Sequence, residues 1–217
     1  MPAIELFSYW RSSAAYRVRI GLNLKQLPHR ITPVHLLRDG GQQHGAAYAA
    51  LNPQELVPTL RHDGQVLQQS MAILEYLDEV FPLPALLPDD APGRARVRAL
   101  AQVLACDVHP LNNLRVMQFF NDTWNVPQVE RDDWTRHWIR LGFEAMERML
   151  VESVETGHFC HGDSPTLADC CLVPQLYNAR RFHLDLAAYP TLVRIDAACL
   201  ALPAFEAARP ENQPDAG

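Results

Sequence analysis

At 217 residues, with 48% hydrophobic and 20% charged side chains, the chain can bury a substantial core in one or two domains, and its composition excludes a disordered protein. Its net charge of −6 argues against a nucleic-acid partner, since gripping a phosphate backbone requires a basic excess on one face. No apolar run approaches the ~20 residues of a membrane span, and the opening residues lack the basic segment and apolar core of a secretion signal, so the expected location is the cytoplasm. The five cysteines, Cys106, Cys160, Cys170, Cys171 and Cys199, are odd in number and contain no C-x-x-C pair. They fit a reducing compartment better than a disulfide framework. His158, Cys160 and His161 crowd together without a second ligand pair, so no metal site is expected.

Ile4-Glu5-Leu6-Phe7-Ser8-Tyr9 reads as a short strand, apolar at alternate places. A helix follows, with Val18 and Leu22, and Ile20 and Leu24, each four apart. Ser12 and Ser13 stand between the two. The first turn of a helix has unpaired N–H groups and the positive end of the dipole, so a hydroxyl there can cap the helix or hold an external anion. From these residues alone, capping is the simpler account. Leu27-Pro28 ends the helix, and residues 30–36 predict a second strand that Pro33 places at a sheet edge, completing a βαβ unit.

Residues 38–44 form a glycine turn leading into a short helix at 46–50, stopped by Asn52-Pro53. Residues 56–60 and 65–67 flank Asp63-Gly64 as a hairpin, and Pro58 leaves the neighbouring Val57 backbone available for another partner. Gln69-Ser70 opens another helix with Met71, Leu74 and Leu77 on one face. The order β-α-β, connector, β-β-α predicts a thioredoxin-like domain over residues 1–82. Residues 81–92 hold four prolines and read as a linker to an all-helical domain at 89–217.

Within that domain, a helix is expected over 93–120, distorted at Pro110, and another over 129–153 with Trp134, Trp138, Leu141 and Ala145 as core. Thr166-Leu167-Ala168-Asp169 fits a capping box, opening a helix to Arg181 with Pro174 as a kink site. Tyr189-Pro190 precedes the last helical stretch, and the tail at 210–217 is expected to be loose.

Taken together, these marks resemble the cytosolic glutathione transferases, specifically the zeta class with its maleylacetoacetate and maleylpyruvate isomerases. They are Ser12-Ser13 with Arg17-Val18-Arg19-Ile20, Asp39-Gly40-Gly41-Gln42-Gln43, Asn52-Pro53, Val57-Pro58-Thr59-Leu60, Gln69-Ser70, His109-Pro110-Leu111-Asn112-Asn113, and Asp169 with Leu172-Val173-Pro174-Gln175. The resemblance implies the cytosolic glutathione transferase fold, an α/β thioredoxin-like N-terminal domain plus an all-α C-terminal domain, in a homodimer. One departure is plain: the family has cysteine and serine after the serine pair, where this chain has Ala14 and Ala15. That argues against side chemistry needing a protein thiol there and leaves Ser12 and Ser13 as the thiol-stabilising candidates, with Ser12 favoured by its place at the strand end.

A free thiol has a pKa of roughly 8.5, so about 3% is ionised at neutral pH, and lowering it by ~2 units requires about 2.7 kcal/mol of preference for the anion. A serine hydroxyl bonded to the thiolate supplies roughly 1.5–3 kcal/mol and the helix terminus about 0.3–1 kcal/mol. The two suffice without a general base. By resemblance, the Val57 backbone beside Pro58 pairs with the cysteinyl part of glutathione, Gln69 and Ser70 meet its γ-glutamyl end, and Gln43 lies towards its glycyl end. Capping is the alternative role for Ser70.

The resemblance further implies small dicarboxylate keto-acid substrates with a cis double bond. Thiolate addition turns that bond into a rotating single bond, and expulsion of the thiolate yields the trans isomer. Cations for two carboxylates are then needed, and Arg11, Arg115 and Arg181 are the candidates, with His109 and Asn113 lining the same cleft. The alternative is that each is an ordinary surface arginine. Arg17 and Arg19 lie deeper in their helix and are expected to be structural. The first choice of activity is maleylacetoacetate isomerisation. Maleylpyruvate isomerisation, a glutathione-conjugating transferase and a non-catalytic module of the same fold are the rivals.

Overall fold

The computed structural model describes residues 4–216; the outer ends of the two expected domains, at 1 and 217, fall outside them. One compact unit runs to Leu86 and takes in the segment from Ala201 onward, and the other spans Leu87–Leu200.

The first unit is built on four strands, β1 (Ile4–Ser8), β2 (His29–Pro33), β3 (Thr59–His62) and β4 (Gln65–Gln68), in the order β2-β1-β3-β4. β1 runs parallel to β2 and antiparallel to β3, which pairs antiparallel with β4. Pro33 does lie on an edge strand, where its missing N–H costs no ladder bond. β3 begins at Thr59, later than the strand expected from residue 56, so Val57 and Pro58 precede the ladder. Three helices accompany the sheet: α1 (Ser13–Leu24), α2 (Ala46–Leu51) and α3 (Ser70–Val80).

α1 is buried on every side from Ala15 to Leu22, including Arg17 and Arg19. A buried guanidinium is tolerable only with hydrogen-bond partners. Arg19 donates to Ser8 Oγ at 3.0 Å and to the Trp10 carbonyl at 2.9 Å, which fits the structural role expected of it. Gly21 lets α3 approach, since a Cβ there would stand 2.2 Å from Leu74 Cδ2. Below the helix end, buried Lys25 spends its three protons on Asp78 Oδ1 (2.7 Å) and the carbonyls of Phe81 (2.7 Å) and Pro84 (2.8 Å). The first part of the expected linker is thereby pinned to the sheet domain, with Leu86 1% exposed.

The second unit is helical. α4 (Ala91–Gln102) starts from an Asp90 cap, whose carboxylate accepts the Gly93 N–H at 2.8 Å. The single distorted helix expected over 93–120 is four pieces. α4 widens into a π-helical turn at Val103–Val108, tightens into a 3-10 turn at His109–Asn112, and restarts as α5 (Leu114–Trp124). Pro110 explains the change, because its ring would clash with the carbonyl four residues back and it has no N–H to donate. Asn113 then caps α5.

α6 (Gln128–Val151) buries Thr135, Ile139, Gly142, Phe143, Met146 and Leu150. This stripe lies beside the one expected: Trp134 and Trp138 are half-buried, and Leu141 and Ala145 are exposed. Both sets share helical spacing, so the period alone did not choose between the faces. α7 (Leu167–Arg181) continues unbroken through Pro174 and is buried from Leu167 to Leu176; α8 (Pro190–Leu200) follows. The Asp169 carboxylate accepts from the Thr166 N–H (2.7 Å), its hydroxyl (2.8 Å) and the Cys160 N–H (2.9 Å). Burial pushes the Asp169 carboxyl above its usual range despite those bonds. Cys160, Cys170, Cys171 and Cys199 are buried thiols, and burial raises the pKa of Cys160 and Cys199.

α9 (Pro203–Ala208) and a 3-10 turn at Pro210–Asn212 return to the first unit. As far as Ala216, the last described residue, the tail is not loose. Gln213 is buried, its amide donating to the carbonyls of Ala207 (3.1 Å) and Arg209 (2.7 Å). Among the described residues no helix is long and apolar enough to cross a membrane, and no group of His, Cys, Asp and Glu could hold a metal ion.

Candidate active site

Strand register gathers several candidates at one end of the first unit's sheet. Phe7 on β1 stands opposite Thr59 on β3, and Thr59 opposite Gln68 on β4. The end of β1, the approach to β3 and the exit from β4 are therefore neighbours. These are the places where Ser12, Val57 and Gln69-Ser70 sit. Tyr9 and Val57 share a small apolar cluster with Val34 and Tyr48, which packs the loop after β1 against the loop before β3.

Ser12 caps α1 with extended backbone angles, its Oγ accepting the Ala15 N–H at 3.2 Å. Capping and anion binding are compatible here, because an accepting hydroxyl keeps its own proton to donate outward. Ser13 is the first helical residue, and both serines are partly exposed. Arg11 lies beside them, its guanidinium 5.1 Å from the Trp10 ring centre.

Val57 precedes the cis Val57–Pro58 peptide, and no backbone hydrogen bond engages it among the described residues. Its loop is held from behind. Tyr48 donates to the Leu56 carbonyl at 2.6 Å and meets Thr59 Oγ1 at 2.9 Å, while Asn52 Nδ2 reaches the same two groups at 2.8 and 3.1 Å. Burial raises the Tyr48 pKa, so the phenol keeps the proton it donates.

Gln69, at φ 69°, occupies the cap position of α3 without a side-chain cap bond, and its amide donates to Gln54 Oε1 at 2.8 Å. Ser70 is the first helical residue and not the cap expected as its alternative role. Its buried hydroxyl accepts from Arg17 Nη1 at 3.2 Å. That bond places a guanidinium behind the mouth of α3, and the Ser70 proton remains available to a carboxylate. Gln43 is 5% exposed, with Nε2 3.0 Å from His44 Nε2 and with Oε1 buried and unpartnered. An unpaired amide oxygen in that position fits a ligand N–H.

The other candidates belong to the second unit. His109 opens the 3-10 turn, and the Asn113 side-chain oxygen accepts the Arg115 N–H at 3.1 Å. Arg115 is exposed in the first turn of α5. Arg181 ends α7, its guanidinium 4.6 Å from the Phe182 ring centre.

Against this geometry, residues 11–80 match the family model described as "Glutathione S-transferase, N-terminal domain". A probable maleylacetoacetate isomerase of Vibrio cholerae is 51% identical over 216 residues, covering 100% of both chains. A holo structure of maleyl pyruvate isomerase, a bacterial glutathione S-transferase of the zeta class, superposes with a TM-score of 0.95 at 47% identity over 98% of this chain and 100% of that one. The chain belongs to the zeta class of the glutathione S-transferase family. A maleylacetoacetate isomerase from Anaeromyxobacter dehalogenans with glutathione bound in its active site is 50% identical to this zeta-class chain, with a TM-score of 0.88 over 100% of this chain and 99% of that one.

Sequence reasoning missed the frame around Val57 and the Arg17–Ser70 bond. Tyr48 and Asn52 looked like a short helix and its stop signal. Only the fold brings them to Leu56 and Thr59.

Proposed function

We propose that this zeta-class chain isomerises maleylacetoacetate to fumarylacetoacetate with glutathione as cofactor. The observation that carries the proposal is Ser12, a capping hydroxyl with a free proton at the mouth of a buried helix. When bound, glutathione supplies the thiolate that adds to the substrate's cis double bond and leaves again. Ser12 donates to that sulfur with Ser13 beside it, and the α1 terminus adds its dipole. Val57 beside Pro58 offers unpaired backbone groups to the cysteinyl unit, as an edge strand does for a peptide. Gln69 and Ser70, with Arg17 behind, hold the γ-glutamyl end. Gln43 offers its buried oxygen to the glycyl end, and His109 and Asn113 add glutathione contacts.

Arg11, Arg115 and Arg181 are the proposed carboxylate ligands of a small dicarboxylate keto-acid. The 0.95 TM-score to maleyl pyruvate isomerase supports a second reading, in which the acid is the shorter maleylpyruvate. A homodimer in the cytoplasm is proposed for either. Incubation with each acid, with and without glutathione, tests both readings. Glutathione-dependent trans product from maleylacetoacetate is expected; turnover of maleylpyruvate alone selects the second reading, and no turnover of either rejects both. Stable adducts would instead mark a conjugating enzyme.

A further inference from the structure

The segment after Ala201 stays within the first unit and reaches the loop that carries Ser12. Arg19, 1% exposed in α1, is the hub: Nε donates to the Ala208 carbonyl at 3.0 Å, Nη2 to the Trp10 carbonyl at 2.9 Å, and Nη1 to the Tyr9 carbonyl at 3.4 Å. Asn23 ties the same helix to the Ala204 carbonyl at 3.0 Å. Past the Pro210–Asn212 turn, Gln213 locks the tail back on α9, and the Asp215 Oδ2 accepts the backbone N–H of Trp10 at 3.0 Å across 205 positions of sequence. Both backbone polar groups of Trp10 are thus met by side chains from outside its loop. Trp10 lies two residues before Ser12, and the turn between them is closed by the Ser12 N–H donating to the Tyr9 carbonyl at 3.0 Å.

We propose that Asp215 is a positioning residue: through the Trp10 amide it fixes the turn that delivers the Ser12 hydroxyl to the mouth of α1. The catalytic part of this inference rests on the function proposed above; the placement of the loop does not. A carboxylate suits the task because its oxygen accepts the Trp10 amide proton and brings no competing donor. Orientation matters because small displacements of a catalytic donor are costly in rate.

The test compares Asp215→Ala and Asp215→Asn with the unaltered full-length chain by amide hydrogen exchange and by isomerase kinetics. In Asp215→Ala, exchange in the segment around Trp10–Ser12 should rise about tenfold while β3 and α3 keep their protection. Its kcat/KM should fall about fivefold. Asparagine keeps an acceptor oxygen, so Asp215→Asn should stay within about twofold of the parent in both measurements. The inference is overturned by unchanged loop exchange, by a uniform rise across the first unit, by failure of asparagine to rescue, or by parental turnover with a loosened loop. If the unaltered chain turns over neither acid, the proposed function fails on its own assay, and the exchange pattern alone still decides whether Asp215 holds the loop.

Discussion

Removing the Ser12 hydroxyl has two consequences that the structure separates. As a donor to the bound sulfur, the hydroxyl accounts for about 1.5–3 kcal/mol, so its loss should slow turnover roughly 10- to 150-fold and raise the bound thiol's pKa by about 1–2 units. As the cap of α1 it accepts the Ala15 N–H, a bond whose loss costs about 0.5–2 kcal/mol of stability in Ser12→Ala but only a few tenths in Ser12→Gly. Alanine and glycine variants should therefore share the kinetic defect and differ in stability. The assays are the pH dependence of kcat/KM, direct titration of the bound thiol by ultraviolet absorbance, and urea unfolding. A raised thiol pKa moves the acid limb of the rate profile to higher pH, so the defect should shrink as the pH rises. Unchanged thiol titration in both variants would refute the role given to Ser12, and a rate defect in alanine alone would show that only the cap matters.

Other perturbations test the rest of the molecule. Arg181→Ala should raise KM for the dicarboxylate about tenfold without weakening glutathione binding, and an equal loss of both in calorimetry would refute its assignment. Lys25→Ala leaves Asp78 and two carbonyls without their buried donor, and should cost about 3–5 kcal/mol in chemical denaturation. Gly21→Ala should cost about 1–3 kcal/mol by the same measurement, because α1 and α3 must part around Leu74. For Glu5, burial pushes the carboxyl up, but the Thr32 hydroxyl and the charges of Arg61 and Arg30 outweigh it and hold the pKa below its usual value. A depressed carboxyl stabilises the fold above its unfolded pKa and loses that contribution as pH falls through the lower folded one. The stability gap between the parent and Glu5→Gln should therefore close on acidification below about pH 4.5 and stay constant above it.

The first unit was largely legible because its signals are local. Strand alternation, turn residues and the serines between a strand and a helix act over a few positions. The sheet edge at Pro33 follows from one missing N–H. What the sequence did not disclose was long-range. Arg17 reaching Ser70, Tyr48 supporting Leu56, and Asp215 meeting Trp10 join positions between 8 and 205 apart and leave no periodic trace. On α6, the stripe through Ile139 and Phe143 and the one through Trp138 and Leu141 are equally helical, and aromatic bulk pointed to the wrong one. Pro110 correctly flagged a distortion, but not that relief would begin seven residues earlier as a π turn.

The four interior cysteines bear on how such an enzyme survives its own substrate. A cis enone dicarboxylate is an electrophile that captures any ionised sulfur within reach. Burial raises the pKa of Cys160 and Cys199, Cys170 and Cys171 are shut away from solvent, and alanine stands at position 14, next to Ser13. Only Cys106 is open to reagents, so the chain is built to handle a thiol-seeking compound while offering it almost no sulfur of its own.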